Sequence, residues 1–251
     1  MLDARSRFFE TGSYSRIADA VASACVAAVA TPPNEHFDSG VAESDDTPSV
    51  RLAELGCGTG YYLRTATHAL RSNSTVVEPV AADLSPAAVK MAVRAVPEAA
   101  GVVMDVWQPL PFVDRSLSGI VSVFAPRNLP EFVRALRPGG FLIAVVPTTR
   151  HLRELRAAGR ALDIPDGKPG ALAESAAPWF SEVERTLVEF EMNLDPVTVD
   201  NLIGMGPSAH HTPAAAAGTS AEETGTSTAK PGRSVITASV TVQTFRLTSR
   251  A

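Results

Sequence analysis

Cysteine is nearly absent: Cys25 and Cys57 are the only two in 251 residues. Two thiols cannot furnish a four-ligand zinc site by themselves. They also make a poor disulfide framework, so a reducing cytoplasm is the simplest setting. Excess positive charge is missing as well. The formal net charge of -5 gives no chain-wide case for nucleic-acid binding, so any such surface has to be local. Nor is there a hydrophobic run long enough to span a bilayer. Ala20 to Ala30 is apolar, follows Arg5, Arg7 and Arg16, and ends in Ala-Val-Ala, which imitates a secretion signal. Asp3, Glu10 and Asp19 cancel that positive lead, and Ile17-Ala-Asp-Ala-Val-Ala fits an amphipathic helix instead. No internal repeat is present. Hydrophobic residues make up 45% of the chain, enough for one large α/β domain or one domain with appendages.

Two nucleotide fingerprints are also missing. The segment Arg51-Leu-Ala-Glu-Leu-Gly-Cys-Gly-Thr-Gly-Tyr61 runs from a hydrophobic strand into Glu54-x-Gly56-x-Gly58-x-Gly60. A dinucleotide loop needs G-x-G-x-x-G, and a P-loop needs Gly-Lys-Ser/Thr; neither is here. Alternating glycines permit positive φ and close approach to bare backbone. With an acidic residue ending the strand, the pattern points to a nucleoside cofactor at the first strand-helix turn of an open sheet. It resembles motif I of class I S-adenosylmethionine (SAM) methyltransferases.

Apolar and polar segments alternate along the chain. Residues 1–30 read as helical with Ser15 as a possible N-cap, and 31–49 as a surface linker; together they form an N-terminal helical arm ahead of a cofactor domain over 50–251. Strands are expected at Val50–Leu55, Thr75–Asp83 (with Pro79 awkward inside it), Gly101–Met104, Gly119–Phe124 and Phe141–Val146. Helices are expected at Tyr61–Leu70, Ala87–Val96 after Pro86, Leu129–Leu136 and Arg150–Leu162, and Pro138-Gly-Gly140 reads as a sharp turn. That order predicts a Rossmann-like, mostly parallel seven-stranded sheet. Val183–Phe190 and Val235–Leu247 would close it with an antiparallel edge, around a helical Val197–Met205. Residues 213–234, rich in Ala, Thr, Ser and Gly, read as a flexible loop.

SAM presents a ribose diol, an adenine and a charged methionine tail, and each needs a partner. Asp83 ends the second strand, where a carboxylate can take both ribose hydroxyls; the competing reading is a helix N-cap. Asp105, or the Val106 amide after it, is placed to meet adenine, or to be a plain turn. Glu54 would organise the loop or the methionine ammonium. Arg127 and Asn128 leave the fourth strand, where substrate enters, and can offer hydrogen bonds to a base or phosphate. From Arg127 to Arg160 there are seven arginines against Glu131 and Glu154, a local charge of 7 − 2, about +5. Arg150, Arg153, Arg156 and Arg160 would form one stripe at helical pitch, a phosphate-binding row or a solvated face. His210-His211 suggests a metal, but nothing nearby completes a site.

Several pieces occur in order: Arg5-x-x-Phe8-Phe9-x-x-Gly12-x-Tyr14, Leu55-Gly-Cys-Gly-Thr-Gly-Tyr-Tyr62, Asp83-Leu-Ser85, Asp105-Val-Trp-Gln-Pro-Leu-Pro111, Phe124-Ala-Pro-Arg-Asn128, Leu136-Arg-Pro-Gly-Gly140, Pro147-Thr-Thr-Arg-His-Leu-Arg-Glu-Leu155 and Met205-Gly-Pro-Ser-Ala-His210. Together they resemble the large-subunit (23S) ribosomal RNA guanine-N(1)-methyltransferases, a family with macrolide-resistance members in actinobacteria. The resemblance covers roughly residues 5–211. It implies SAM as cofactor, with contacts at Tyr14, at Gly58 and Thr59, and at His151, beside the Gly56 and Gly60 that the loop pattern itself offers to the cofactor. It further implies a structured RNA partner, with neither DNA nor membrane, and a cytoplasmic enzyme. Such enzymes ordinarily carry a zinc module ahead of the Arg-x-x-Phe-Phe segment, whereas this sequence starts at that segment, and no metal is expected. The same residues would serve a small-molecule methyltransferase or a non-catalytic SAM-binding protein.

Overall fold

The computed structural model describes residues 1–31, 49–206 and 232–248. Its elements are α1 (Leu2–Glu10), α2 (Ser15–Ala30), β1 (Ser49–Leu55), α3 (Tyr61–Ser72), β2 (Val76–Asp83), α4 (Pro86–Ala95), β3 (Ala100–Val103), β4 (Leu117–Val123), α5 (Leu129–Ala135), β5 (Leu136–Pro147), α6 (Arg153–Ala157), α7 (Lys168–Ala176), β6 (Phe180–Leu194), α8 (Pro196–Gly204) and β7 (Ser234–Leu247). The seven strands lie in the order β3-β2-β1-β4-β5-β7-β6. The first five are parallel, and β7 and β6 complete the sheet antiparallel. Strand order reverses between β1 and β4, so the loops leaving their carboxyl ends flank the crevice where such sheets bind ligands.

The central strands are apolar on both faces because helices cover both. Along β5, Phe141, Ile143 and Val145 join the core under α2 and α3, while Leu142, Ala144 and Val146 join the core under α5 and α7. Pro79 sits inside β2, yet its missing N–H costs nothing. Ala82 points its carbonyl at the loop after β1, so by alternation Pro79 faces the β3 side, and β3 begins only opposite Val80.

Four expectations need correction. The N-terminal helix breaks at Thr11–Tyr14, where Gly12 has φ +71°; Ser15 lies inside α2, and Tyr14 stands at its N-cap without a side-chain bond. Pro138-Gly-Gly140 is a bulge inside β5: Leu117 pairs with Leu136 and Gly119 with Phe141, so four residues loop out against one. The expected Arg150–Leu162 helix shrinks to α6, five residues long. Helix α7 carries no strong periodic signal and escapes a sequence reading altogether. The expected linker and loop, and His210-His211, fall almost wholly or wholly outside the described residues.

Candidate cofactor and substrate site

The loop after β1 is held by its own backbone. The Gly56 and Cys57 amides donate to Ala82 O at 2.8 and 3.0 Å, and Gly60 N to Cys57 O at 2.8 Å. Gly56, Gly58 and Gly60 have φ of +80°, +52° and +77°, a region that disfavours any side chain. Their surroundings differ. A Cβ on Gly56 would lie 2.6 Å from the Ala125 methyl, and one on Gly60 2.8 Å from the Ala92 backbone. Those two glycines are therefore needed for close packing, whatever their backbone meets on the open side. Only Gly58 faces something movable, the Arg5 guanidinium, whose Nη1 would lie 2.7 Å from a Cβ there. Thr59 borders a groove of about 310 Å3 shared with Ser6, Phe9, Tyr61, Arg64 and Arg94.

Two carboxylates brace the loop. Asp83 accepts from Gly58 N through Oδ2 and from Ser85 N through Oδ1, both at 2.9 Å. It is not the N-cap of α4, because Ser85 fills that role by accepting from Ala88 N. Each Asp83 oxygen keeps lone pairs for a further donor. Glu54, almost wholly buried, accepts from Leu63 N at 2.9 Å and so fixes the first turn of α3. Burial pushes its carboxyl up to about 8; the Leu63 N–H and the Arg5 charge only partly oppose this. Glu54 is thus a mostly protonated strut at neutral pH.

Along the same edge, Asp105 accepts from Trp107 N at 3.0 Å in an Asx turn. Asn128 donates to Val106 O at 3.0 Å and ties the loop after β4 to the loop after β3. Arg127 turns back onto Ala125 O at 3.0 Å. Both residues expected to face substrate therefore spend part of their capacity stiffening loops.

His151 meets Tyr14 across the crevice, Nε2 to Oη 3.2 Å. Its Nδ1 accepts from Ser239 N at 3.1 Å. A backbone N–H can only donate, so Nδ1 is the bare nitrogen and the ring proton sits on Nε2. Nε2–H then donates to Tyr14, leaving the tyrosine hydroxyl proton free for another acceptor. Burial, helped by Arg156, pushes the imidazole down to about 4, so the ring is neutral in physiological solution. Phe124 lies against His151 with ring centroids 5.7 Å apart and near-parallel planes. It is 42% exposed and held at φ +53°, an unusual backbone for an aromatic residue and one that clusters at functional sites.

The arginine stripe is not built. Arg150 pairs with Glu189, Arg153 with Glu154 and Arg160 with Asp200. Arg156 donates to the Thr149 and His151 carbonyls. The turn stops because Glu154 is captured by β7: its carboxylate accepts from Thr237 N at 2.8 Å and from the Thr237 hydroxyl at 2.6 Å.

Sequence reasoning missed Arg5 and Phe124 as site residues, and the exposed Leu84 and Trp107 on the carboxyl rim. Position alone hinted at three of them: Leu84 and Phe124 directly follow strand ends, and Trp107 follows Asp105.

A sheet of this order, with a glycine turn after its first strand and an acid after its second, defines a class I SAM-dependent methyltransferase. A family model for a methyltransferase domain matches residues 52–140. A provisionally named 23S rRNA (guanine-N(1)-)-methyltransferase of Micromonospora griseorubida is 37% identical over 212 residues, covering 84% of this chain and 70% of that protein. The 23S rRNA (guanine(748)-N(1))-methyltransferase of Streptomyces fradiae is 39% identical over 160 residues, 64% of this chain and 56% of that one. The chain therefore spans little more than half the length of the second relative. A crystal structure from Bacillus halodurans, provisionally named a methyltransferase, has a TM-score of 0.52 at 14% identity, covering 79% of this chain and 92% of that one; it supports the fold alone. The chain belongs to the family of 23S rRNA (guanine-N(1))-methyltransferases.

The residues present fit SAM. Gly58 opens onto a movable side chain, and the buried Tyr62 hydroxyl has no partner among the described residues. Among the described residues, no cluster of His, Cys, Asp and Glu suited to a metal occurs, and no helix is long and apolar enough to cross a membrane.

Proposed function

We propose that this enzyme methylates N(1) of a guanine in large-subunit ribosomal RNA, in the cytoplasm. The observation that carries the reading is Phe124, half-exposed on strained backbone beside His151 and Tyr14, where a purine ring can stack. The names of the two relatives point to the same base. The bound cofactor supplies an electrophilic methyl group. Gly58, Thr59 and Asp83 would hold it, with Asp83 turned to the ribose and the Asp105–Val106 turn beside the adenine.

The chain's own groups mainly align, and alignment can account for several kcal/mol of barrier. His151 is no base for the departing N(1) proton: Nδ1 is occupied, Nε2 is already protonated, and the ring resists a second proton. Its role is to orient the Tyr14 hydroxyl. A guanine outside a Watson-Crick pair suits the site, since pairing occupies N(1) and sequence-specific RNA readers favour splayed bases. Arg127 and Asn128 are proposed to flank that base, with Arg150, Arg153, Arg156 and Arg160 on the RNA approach.

Primer extension on ribosomal RNA from strains with and without the gene tests this. A reverse-transcription stop at a guanine that vanishes without the gene supports it; identical stops refute it. Phe124→Ala should reduce methylation of the RNA roughly 5- to 100-fold, the loss expected from base-stacking energies of roughly 1–3 kcal/mol, while leaving the SAM dissociation constant unchanged.

A further inference from the structure

Among the described residues, Arg5 is a charge without an ion-pair partner. It rises from α1 onto the glycine turn, half-buried, with its guanidinium over the Gly58 backbone. Among the described residues, its one side-chain hydrogen bond runs from Nη2 to Met205 O at 3.1 Å, just past α8. No ion pair involving Arg5 forms among the described residues, although Arg51, Arg71, Arg134, Arg150, Arg153, Arg160 and Arg185 all have one. Glu54 lies close enough to feel the Arg5 charge, but its Oε2 accepts from Leu63 N, and it forms no ion pair with Arg5 among the described residues. A partly desolvated guanidinium with most of its five donors unspent calls for an anion with two oxygens.

A second polar group lies near. The Tyr62 hydroxyl is buried without a partner among the described residues, close enough to Tyr14, Glu54, Tyr61 and Arg5 to feel each of them. A phenol left unpaired beside an unpaired guanidinium marks a polar subsite waiting for acceptors.

We infer that Arg5, with the Tyr62 hydroxyl, recognises the carboxylate of the cofactor's amino-acid moiety, from the helix α1 that packs against α8. The assignment rests on the glycine turn holding SAM. It makes the N-terminal segment part of the cofactor site through a charge as well as through Tyr14.

Calorimetry with SAM and with decarboxylated SAM tests it, because the two differ at the group in question. Arg5→Gln should weaken SAM binding about 10- to 100-fold, as expected for loss of a charged hydrogen-bonded contact, and leave the affinity for decarboxylated SAM within about twofold of wild type. Tyr62→Phe should show the same selectivity with a smaller loss. Retained binding of the decarboxylated compound also shows that the variant is folded. An equal loss for both compounds would make Arg5 a mere anchor of α1 and overturn the assignment. So would unchanged SAM affinity with weakened RNA binding, which would assign the guanidinium to a phosphate. If wild-type protein bound neither compound, the cofactor reading itself would fall, and this inference with it.

Discussion

Glu54 and Glu154 do the same thing in two different places. Each reaches across the carboxyl rim of the sheet and accepts a backbone N–H from a neighbouring element, Leu63 for one and Thr237 for the other. Their carboxyls are driven in opposite directions. Burial pushes Glu54 up to about 8. Burial also acts to raise Glu154, but the Thr237 hydroxyl and N–H and the adjoining Arg153 outweigh it and hold the carboxyl at about 2. The first is a largely neutral strut in a sealed turn; the second is a charged hook at a wet surface. Around Glu54 the chain is fixed by contacts within one βαβ unit, to Leu63, Ala82 and Asp83. Around Glu154 it is fixed by residues more than eighty positions away.

The largest effects should come from breaking the sealed turn. Gly60→Val combines a left-handed backbone with a Cβ 2.8 Å from the Ala92 main chain. Strain plus overpacking should cost about 3–5 kcal/mol, visible as a lower urea midpoint. Gly58→Val meets comparable backbone strain but only the flexible Arg5 head, so its stability loss should stay near 1–2 kcal/mol. Its SAM binding should nevertheless vanish by calorimetry. Equal stability losses for the two variants would erase the division between packing glycine and ligand glycine.

The two glutamates should respond to opposite ends of the pH scale. Glu54 holds its proton more tightly folded than unfolded. Its contribution is therefore fully present below about 4.5 and drains away as pH rises toward 8. Glu54→Gln removes that drain, so between pH 5 and pH 8 the variant should gain on wild type by on the order of 2 kcal/mol in urea titrations. Glu154 is the reverse case: its carboxyl is depressed, so its stabilisation is present above about 4.5 and lost as pH falls toward 2. Glu154→Gln should cost about 1 kcal/mol at pH 7, and the gap to wild type should narrow by pH 3 and close in melts taken near pH 2. A gap that persists there would show that shape, not charge, carries the hook.

The same contrast decides what can be read from sequence. Glu54, Gly56, Gly58, Gly60 and Asp83 form their geometry from spacing within one βαβ unit, and backbone sterics allow few alternatives. The central parallel strands were legible because both faces are buried, leaving continuous apolar runs. Arg150 to Arg160 were not legible as a structure. Their spacing fits a helix, but helical pitch needs a continuous helix, and β7 captures Glu154 and His151 before one can propagate. Local charge counting failed for a related reason: Glu189 on β6 and Asp200 on α8 arrive from distant sequence to offset Arg150 and Arg160. Arg5 was the opposite omission, a residue whose meaning depends on what it lacks.

The smallest effect should fall on the arginine segment itself. Each phosphate neutralised contributes about 0.7–0.9 to the slope of log affinity against log salt, so a bare pair of arginines would be worth nearly two. Arg156 is a poor reporter, because its carbonyl contacts shape the His151 turn. Arg153 and Arg160 are cleaner: both are exposed, and each already faces a carboxylate. Reversing the two together should leave SAM affinity unchanged and lower the RNA salt slope by less than about 1, since paired arginines release little counterion when RNA arrives. A fall of about 2 would mean that RNA displaces Glu154 and Asp200 from their partners, which would restore the phosphate row that the helical spacing suggested.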